Sequence, residues 1–171
     1  MKVCIIGLPG SGKTYIADVL SVMTGTEKVD IDVLFDKHPF YAFAKNLYAK
    51  AFSKLLRGKT SWVIDGYHAG LMPNELWTDA DTVIYLNFPK EELKQNVLTR
   101  YKTKKLNKEF SHWQFTYINN LKNFGQITFQ DKGLKKDIAR IKSLVSNEAK
   151  FIELNDRDAV QKFIDNFPGQ F

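Results

Sequence analysis

The chain has 171 residues and a formal net charge of +6, with 44% hydrophobic and 26% charged residues. Those proportions are ordinary for a soluble globular protein, and the length suits one domain with a sizeable core. No apolar run approaches the roughly 18 residues needed to span a bilayer, and no secretory signal precedes the first motif. The single cysteine, Cys4, cannot form an internal disulfide, so a cytoplasmic protein with a buried structural thiol is expected.

In chain order, residues 2–6 form a continuous apolar run of the kind that a parallel strand buried on both faces requires. It leads into Gly7-Leu8-Pro9-Gly10-Ser11-Gly12-Lys13-Thr14, which fits the pattern G-x-x-x-x-G-K-[ST] of a phosphate-binding loop, the P-loop. Glycines there let backbone N–H groups curl around an anion, Lys13 supplies a point charge to the β- and γ-phosphates, and Thr14 offers a hydroxyl to Mg²⁺. Tyr15 follows directly and completes the expected nucleotide-binding set. The next segment carries Ile16, Val19, Leu20 and Met23 at i, i+3, i+4 and i+7, the stripe of an amphipathic helix. Strand, glycine loop and helix thus arrive in the order the motif needs.

A short strand over 28–31 is predicted next, running into Asp32 and Phe35. An aromatic-rich helix from about Pro39 to Leu56 follows, opened by proline and closed by Gly58. Residues 62–64 read as a buried strand ending in Asp65-Gly66, and Pro73–Trp77 as a short helix. Residues 82–86 form another strand, after which Pro89 opens a helix with Leu93, Val97 and Tyr101 on one face. A break is expected near 103–109, then helices over 111–124 and along the stripe Leu134, Ile138, Ile141 and Val145. The last strand covers 151–154, and Val160, Phe163, Ile164 and Phe167 stripe the last helix. Alternating strands and helices imply right-handed crossovers, so the expected fold is α/β: a five-stranded parallel sheet with helices on both faces. In such sheets ligands bind beyond the carboxyl ends of the strands, where strand order reverses.

That rule selects the candidate site residues. Asp65 would share its edge with the P-loop and hold Mg²⁺ through water; a plain Asp-Gly turn is the alternative. Asp30 and Asp32 bracket the end of the second strand. Either could accept a hydrogen bond from a substrate hydroxyl or act as general base, while one could simply cap the following turn. Arg100, at the end of a helix face, could neutralise charge on a transferred phosphoryl group, or be an ordinary cation at a helix C-terminus.

The charge is lopsided. Residues 1–88 carry nine basic and nine acidic side chains, whereas residues 89–171 carry sixteen and ten. The densest stretch, 100–108, has five cations in nine residues. It reads as a solvated helix end, a mobile basic flap over phosphates assisted by Lys102, Lys104 and Lys105, or a nucleic-acid patch. His38, His68 and His112 show no metal-ligand spacing to one another or to Cys4, so a zinc site is not expected.

Together the Pro-Gly-Ser-Gly-Lys loop, Val63-Ile64-Asp65-Gly66 and the Val83-to-Pro89 segment before the Arg100 helix resemble adenylate-kinase-like small P-loop kinases. Residues 31–35, 61–67, 80–89 and the aromatic region around Trp113 are similar more closely to the bacterial FlaR-type DNA topology modulation proteins, over nearly the full length. The resemblance implies a P-loop NTPase fold, ATP or GTP binding with Mg²⁺, and a small helical lid at about residues 102–112. It favours Asp32 over Asp30, because the family's leucine-aspartate pair matches Ile31-Asp32. The chain departs from the family at Asn87, where relatives tend to carry an acid, and at residues 119–123, where they carry arginines. The expected function is phosphoryl transfer from ATP to a small acceptor, a nucleoside, nucleotide or related metabolite. Lys13, Asp32 and Arg100 would be catalytic, and Thr14 and Asp65 would hold the metal. An ATP-binding regulatory or nucleic-acid-associated protein with little kinase activity is the alternative. No recognisable nucleic-acid module is present, and nothing suggests a membrane partner.

Overall fold

The computed structural model describes residues 1–33, 45–67, 71–106, 131–146 and 148–167. Five strands, β1 (Lys2–Gly7), β2 (Lys28–Asp30), β3 (Trp62–Asp65), β4 (Thr82–Leu86) and β5 (Lys150–Leu154), form one parallel sheet in the order β2-β3-β1-β4-β5. The helices are α1 (Lys13–Thr24), α2 (Lys45–Leu56), α3 (Asn74–Asp79), α4 (Lys90–Leu106), α5 (Asp131–Leu144) and α6 (Arg157–Asp165). The fold is α/β, as expected.

The apolar strands have no polar face because both faces are covered. Val3 and Ile5 of β1 pack with Ile16 and Leu20 of α1, Leu93 of α4 and Val160 and Ile164 of α6. Their neighbours Cys4 and Ile6 point the other way, into a core built from Tyr48 and Phe52 of α2, Trp77 of α3 and Ile138 and Ile141 of α5. A strand's period of two distributes one hydrophobic run between two cores. Each buried Leu, Ile or Phe contributes about 1.5–3 kcal/mol to this sandwich.

The short helix expected over 73–77 runs over Asn74–Asp79, and the last strand begins at Lys150. Two further boundaries differ from the sequence expectation with a clear local cause. Strand β2 stops at Asp30, and residues 31–33 are already helical. The Asp30 carboxylate accepts a hydrogen bond from the Asp32 backbone N–H at 2.9 Å, a local turn that competes with the strand ladder. The break expected near 103–109 does not begin at 103, because α4 continues to Leu106. Its long polar side chains have good helix propensity, which outlasts the apolar stripe used to delimit it. The helix expected over 111–124, the outer lid and all three histidines lie outside the described residues.

Parallel register fixes where the site falls. Asp30 is level with Asp65, Asp65 with Ile5, and Gly7 with Leu86. The ends of β2, β3, β1 and β4 therefore open onto one edge. β1 lies between β3 and β4, so the loop leaving it starts at the point where the chain changes direction across the sheet.

Candidate active site

The P-loop is shaped by close packing as well as by its backbone. At Gly10, φ is +85°, and an added Cβ would lie 2.6 Å from the Leu93 carbonyl oxygen and 2.9 Å from Val97 Cγ2. At Gly7 a Cβ would sit 2.8 Å from Ser11 Oγ and 2.9 Å from the Leu86 carbonyl oxygen. Only glycine lets the loop press against α4 and the end of β4 in this way. The Ser11 N–H donates to the Leu8 carbonyl at 3.2 Å, closing the turn. Ser11 is 3% exposed, and its hydroxyl has no hydrogen-bond partner among the described residues.

A chain of polar contacts braces the loop from behind. Asn96 Nδ2 of α4 donates to the Gly10 carbonyl at 2.9 Å. The Asn96 side-chain oxygen accepts from the Arg157 guanidinium at 2.9 Å, and Arg157 Nε donates to Glu92 at 2.8 Å. Helices α4 and α6 are thus tied to the P-loop turn. Sequence reasoning missed Asn96, although its place between Leu93 and Arg100 puts it on the face of α4 nearest the loop.

Lys13 begins α1 and folds back so that Nζ donates to the Leu8 carbonyl at 3.3 Å. Burial lowers its pKa; Asp32, Asp65 and Asp30 pull it upward, and Arg100 pushes it further down. The groups acting on this ammonium are the three aspartates and the arginine named from the sequence. Thr14, next to Lys13, also acts on the Asp65 carboxylate and favours its charged form. Asp65 is 3% exposed. Burial raises its pKa above the usual carboxylate range, Asp30 adds to the rise, and Thr14, Lys13 and Lys28 oppose it.

The edge beside the P-loop is acidic. A Cβ built on Gly66 would lie 3.7 Å from Asp32 Oδ1 and 2.4 Å from Ile31, so the exits of β2 and β3 touch. Of the two aspartates, Asp30 makes the turn, while Asp32 is exposed on the side of Lys13. Tyr48 of α2 is fully buried, with its phenol pKa raised first by burial and then by the charge of Asp32. Sequence reasoning placed this position only within the aromatic-rich helix. Arg100 is exposed, and the Lys102 backbone continues α4 beyond it; the side chains of Lys104 and Lys105 lie outside the described residues. Tyr15 is 57% exposed on the first turn of α1. At Asn87 the side chain accepts from Tyr85 and donates to Glu153 at 2.8 Å, a donation that an acid at this position could not make.

A second network lies just past Asp65. Tyr67 donates to Asp137 of α5 at 2.5 Å, and Arg140 Nε donates to the same carboxylate at 2.8 Å. Arg140 also reaches the Asn74 side chain at the start of α3. Burial, then the bond to Asp137, raises the Tyr67 pKa. The trace of this network in the sequence is Asp137 itself, a carboxylate three residues from Leu134 and next to Ile138 on an apolar stripe.

Among the described residues no group of three or more His, Cys, Asp or Glu side chains is placed to hold a metal, and no helix is long and apolar enough to cross a membrane. The Thr14 hydroxyl and Asp65 carboxylate are hard oxygen donors of the kind that suit Mg²⁺, which keeps waters and shares its shell with phosphate oxygens.

No protein-family model and no curated protein matches the chain. Among solved structures, shikimate kinase from Acinetobacter baumannii in complex with shikimate is similar with a TM-score of 0.60 and 18% identity, over 96% of this chain and 90% of that one. Shikimate kinase from Bacteroides thetaiotaomicron gives 0.59 and 11% over 96% and 94%. Deoxyadenosine kinase from M. mycoides, with products bound, gives 0.52 and 17% over 96% and 95%. The chain therefore has the α/β fold found in small P-loop kinases.

Proposed function

We propose that this protein transfers the γ-phosphoryl group of ATP to a hydroxyl of a small acceptor. The observation that carries the reading is the convergence at one sheet edge. The P-loop lysine feels the charges of Asp32, Asp65 and Arg100, and Asp65 ends the strand beside β1, level with Ile5 two residues before the loop. Motif, fold and side-chain placement then agree, which a glycine turn with an incidental lysine would not produce.

The loop's backbone N–H groups and the N-terminus of α1 would cradle the triphosphate. Lys13 would leave the Leu8 carbonyl and follow the γ-phosphate. Thr14 and Asp65 would hold Mg²⁺, which when bound neutralises charge on the phosphate oxygens. Asp32 would orient the acceptor hydroxyl and take its proton as oxygen attacks the γ-phosphorus and the bond to the leaving ADP oxygen breaks. Arg100 would offset the charge spread over the equatorial oxygens. The protein contributes positioning and fixed charge, the two effects this reaction depends on.

The experiment is ADP formation by the full chain with Mg²⁺, ATP and a panel of hydroxyl-bearing metabolites, run beside an ATP-binding measurement. Acceptor-stimulated ADP release that disappears in Lys13→Ala is the expected result. ATP binding with no acceptor stimulation anywhere in the panel would sink the proposal.

A further inference from the structure

We propose that Arg157, outside the site on α6, is a positioning residue for triphosphate binding. It orients the Asn96 amide, and the amide fixes the peptide plane between Gly10 and Ser11. The inference rests on the nucleotide-binding half of the reading above.

Arg157 is the first residue of α6, the helix end at which the macrodipole disfavours a cation. Its side chain crosses to α4, where Glu92 and Asn96 stand four positions apart on one face. One edge of the planar guanidinium serves both. Nε donates to the Glu92 carboxylate at 2.8 Å, and Nη2 donates to Asn96 Oδ1 at 2.9 Å. A carboxamide has an acceptor at one end and donors at the other. With its oxygen taken by Arg157, Asn96 turns its nitrogen toward the loop, and Nδ2 donates to the Gly10 carbonyl at 2.9 Å. Glu92 fixes the guanidinium, the guanidinium fixes the amide, and the amide fixes the carbonyl. Arg157 is 71% exposed, so its ion pair with Glu92 adds little to stability. What the fork supplies is direction.

The Gly10 carbonyl belongs to a peptide plane whose other end, the Ser11 N–H, donates to the Leu8 carbonyl at 3.2 Å. Both ends of the plane are therefore held, in a loop where glycine would otherwise let it turn. Gly10 has φ +85° and no side chain to resist rotation. A turned plane would put a carbonyl oxygen where the loop now has an N–H, beside the Leu8 carbonyl on which Lys13 rests. That is the wrong polarity for a phosphate. An anion-binding loop works by presenting N–H groups, so a plane fixed in advance spares the ligand the cost of ordering it.

The test measures the affinity of the full chain for Mg-ATP and for Mg-tripolyphosphate by calorimetry, with melting temperatures as a check on folding. Arg157→Ala should weaken both ligands about three- to fivefold, matching Asn96→Ala. The double variant should bind no more weakly than either single one, because both changes break one chain of contacts. Arg157→Lys keeps the charge but has no fixed fork, so a loss of similar size is expected. Native affinity in Arg157→Lys beside a loss in Arg157→Ala would reduce the role to charge and overturn the inference. Losses that add in the double variant would also overturn it, since Arg157 would then meet the ligand directly. A loss for ATP without one for tripolyphosphate would do the same, by placing Arg157 at the base or ribose. If the native chain binds neither ligand, the nucleotide-binding reading fails and takes this inference with it. If it binds both and every Arg157 variant keeps native affinity, this inference alone fails.

Discussion

The two halves of the site are built differently. On the P-loop side the shape comes from backbone: glycines pressed against Leu93, Val97 and Leu86, and a carbonyl held by Asn96. On the proposed acceptor side it comes from side chains, Asp30 and Asp32, at the end of β2 where Ile31 meets Gly66. A backbone cradle recognises what every triphosphate shares. An arrangement of side chains selects among acceptors, because each carboxylate adds or withholds a particular hydrogen bond and charge. Substitutions on the two sides should therefore separate in what they damage.

Lys13→Ala should break the P-loop side most severely. ADP formation is expected to fall about 10²–10³-fold or more, as when a group aimed at developing charge is removed. Steady-state kinetics checks this, and near-normal turnover would place the chemistry elsewhere. Asp32→Asn is the counterpart on the acceptor side. It should lower kcat/KM for the acceptor by about 10²-fold while affinity for an ATP analogue stays unchanged. A parallel loss of ATP affinity would erase the distinction between the two sides.

Asn96→Ala sharpens the comparison further. It removes one hydrogen bond to the Gly10 carbonyl, worth about 1 kcal/mol, so ATP should bind about fivefold more weakly. Acceptor affinity measured at saturating ATP should not move. The smallest effect concerns stability. Burial raises the Asp65 pKa, so the folded protein takes up this proton more readily than the unfolded chain. The stability from this group is complete below the ordinary carboxylate pKa of about 3.9 and is lost as pH rises through the raised native value. Asp65→Asn, neutral at all pH, should melt a few degrees higher than the native chain at pH 7, and the gap should close on acidification. A lower melting temperature at pH 7 would mean that Thr14 and Lys13 more than offset the burial.

The contrast also explains what could be read from the chain directly. β4 was legible to the residue, because an apolar run bounded by Asp81 and Pro89 has few other options. β2 ended one residue early, because the Asp30 side chain captured the next backbone N–H, an event that hydropathy does not register. In the same way residue type and spacing left Asp30 and Asp32 equivalent, with only the family resemblance favouring Asp32, whereas in the structure the Asp30 carboxylate makes the turn. Arg140 gave no sign of Asn74, 66 positions away, nor Asp137 of Tyr67, 70 positions away along the chain.

The sequence by itself determined the phosphate-binding loop, the alternation of strands and helices, and the buried character of Cys4. These depend on local rules: which residues tolerate a tight turn, and which faces are apolar. Only the tertiary structure decided which charges surround Lys13, which carbonyl Asn96 supports, and that Arg157 is engaged by Glu92 and Asn96. Parallel pairing sets those distances by bringing the ends of β2, β3, β1 and β4 to one edge, and electrostatic interactions depend on distance in space and not on separation along the chain.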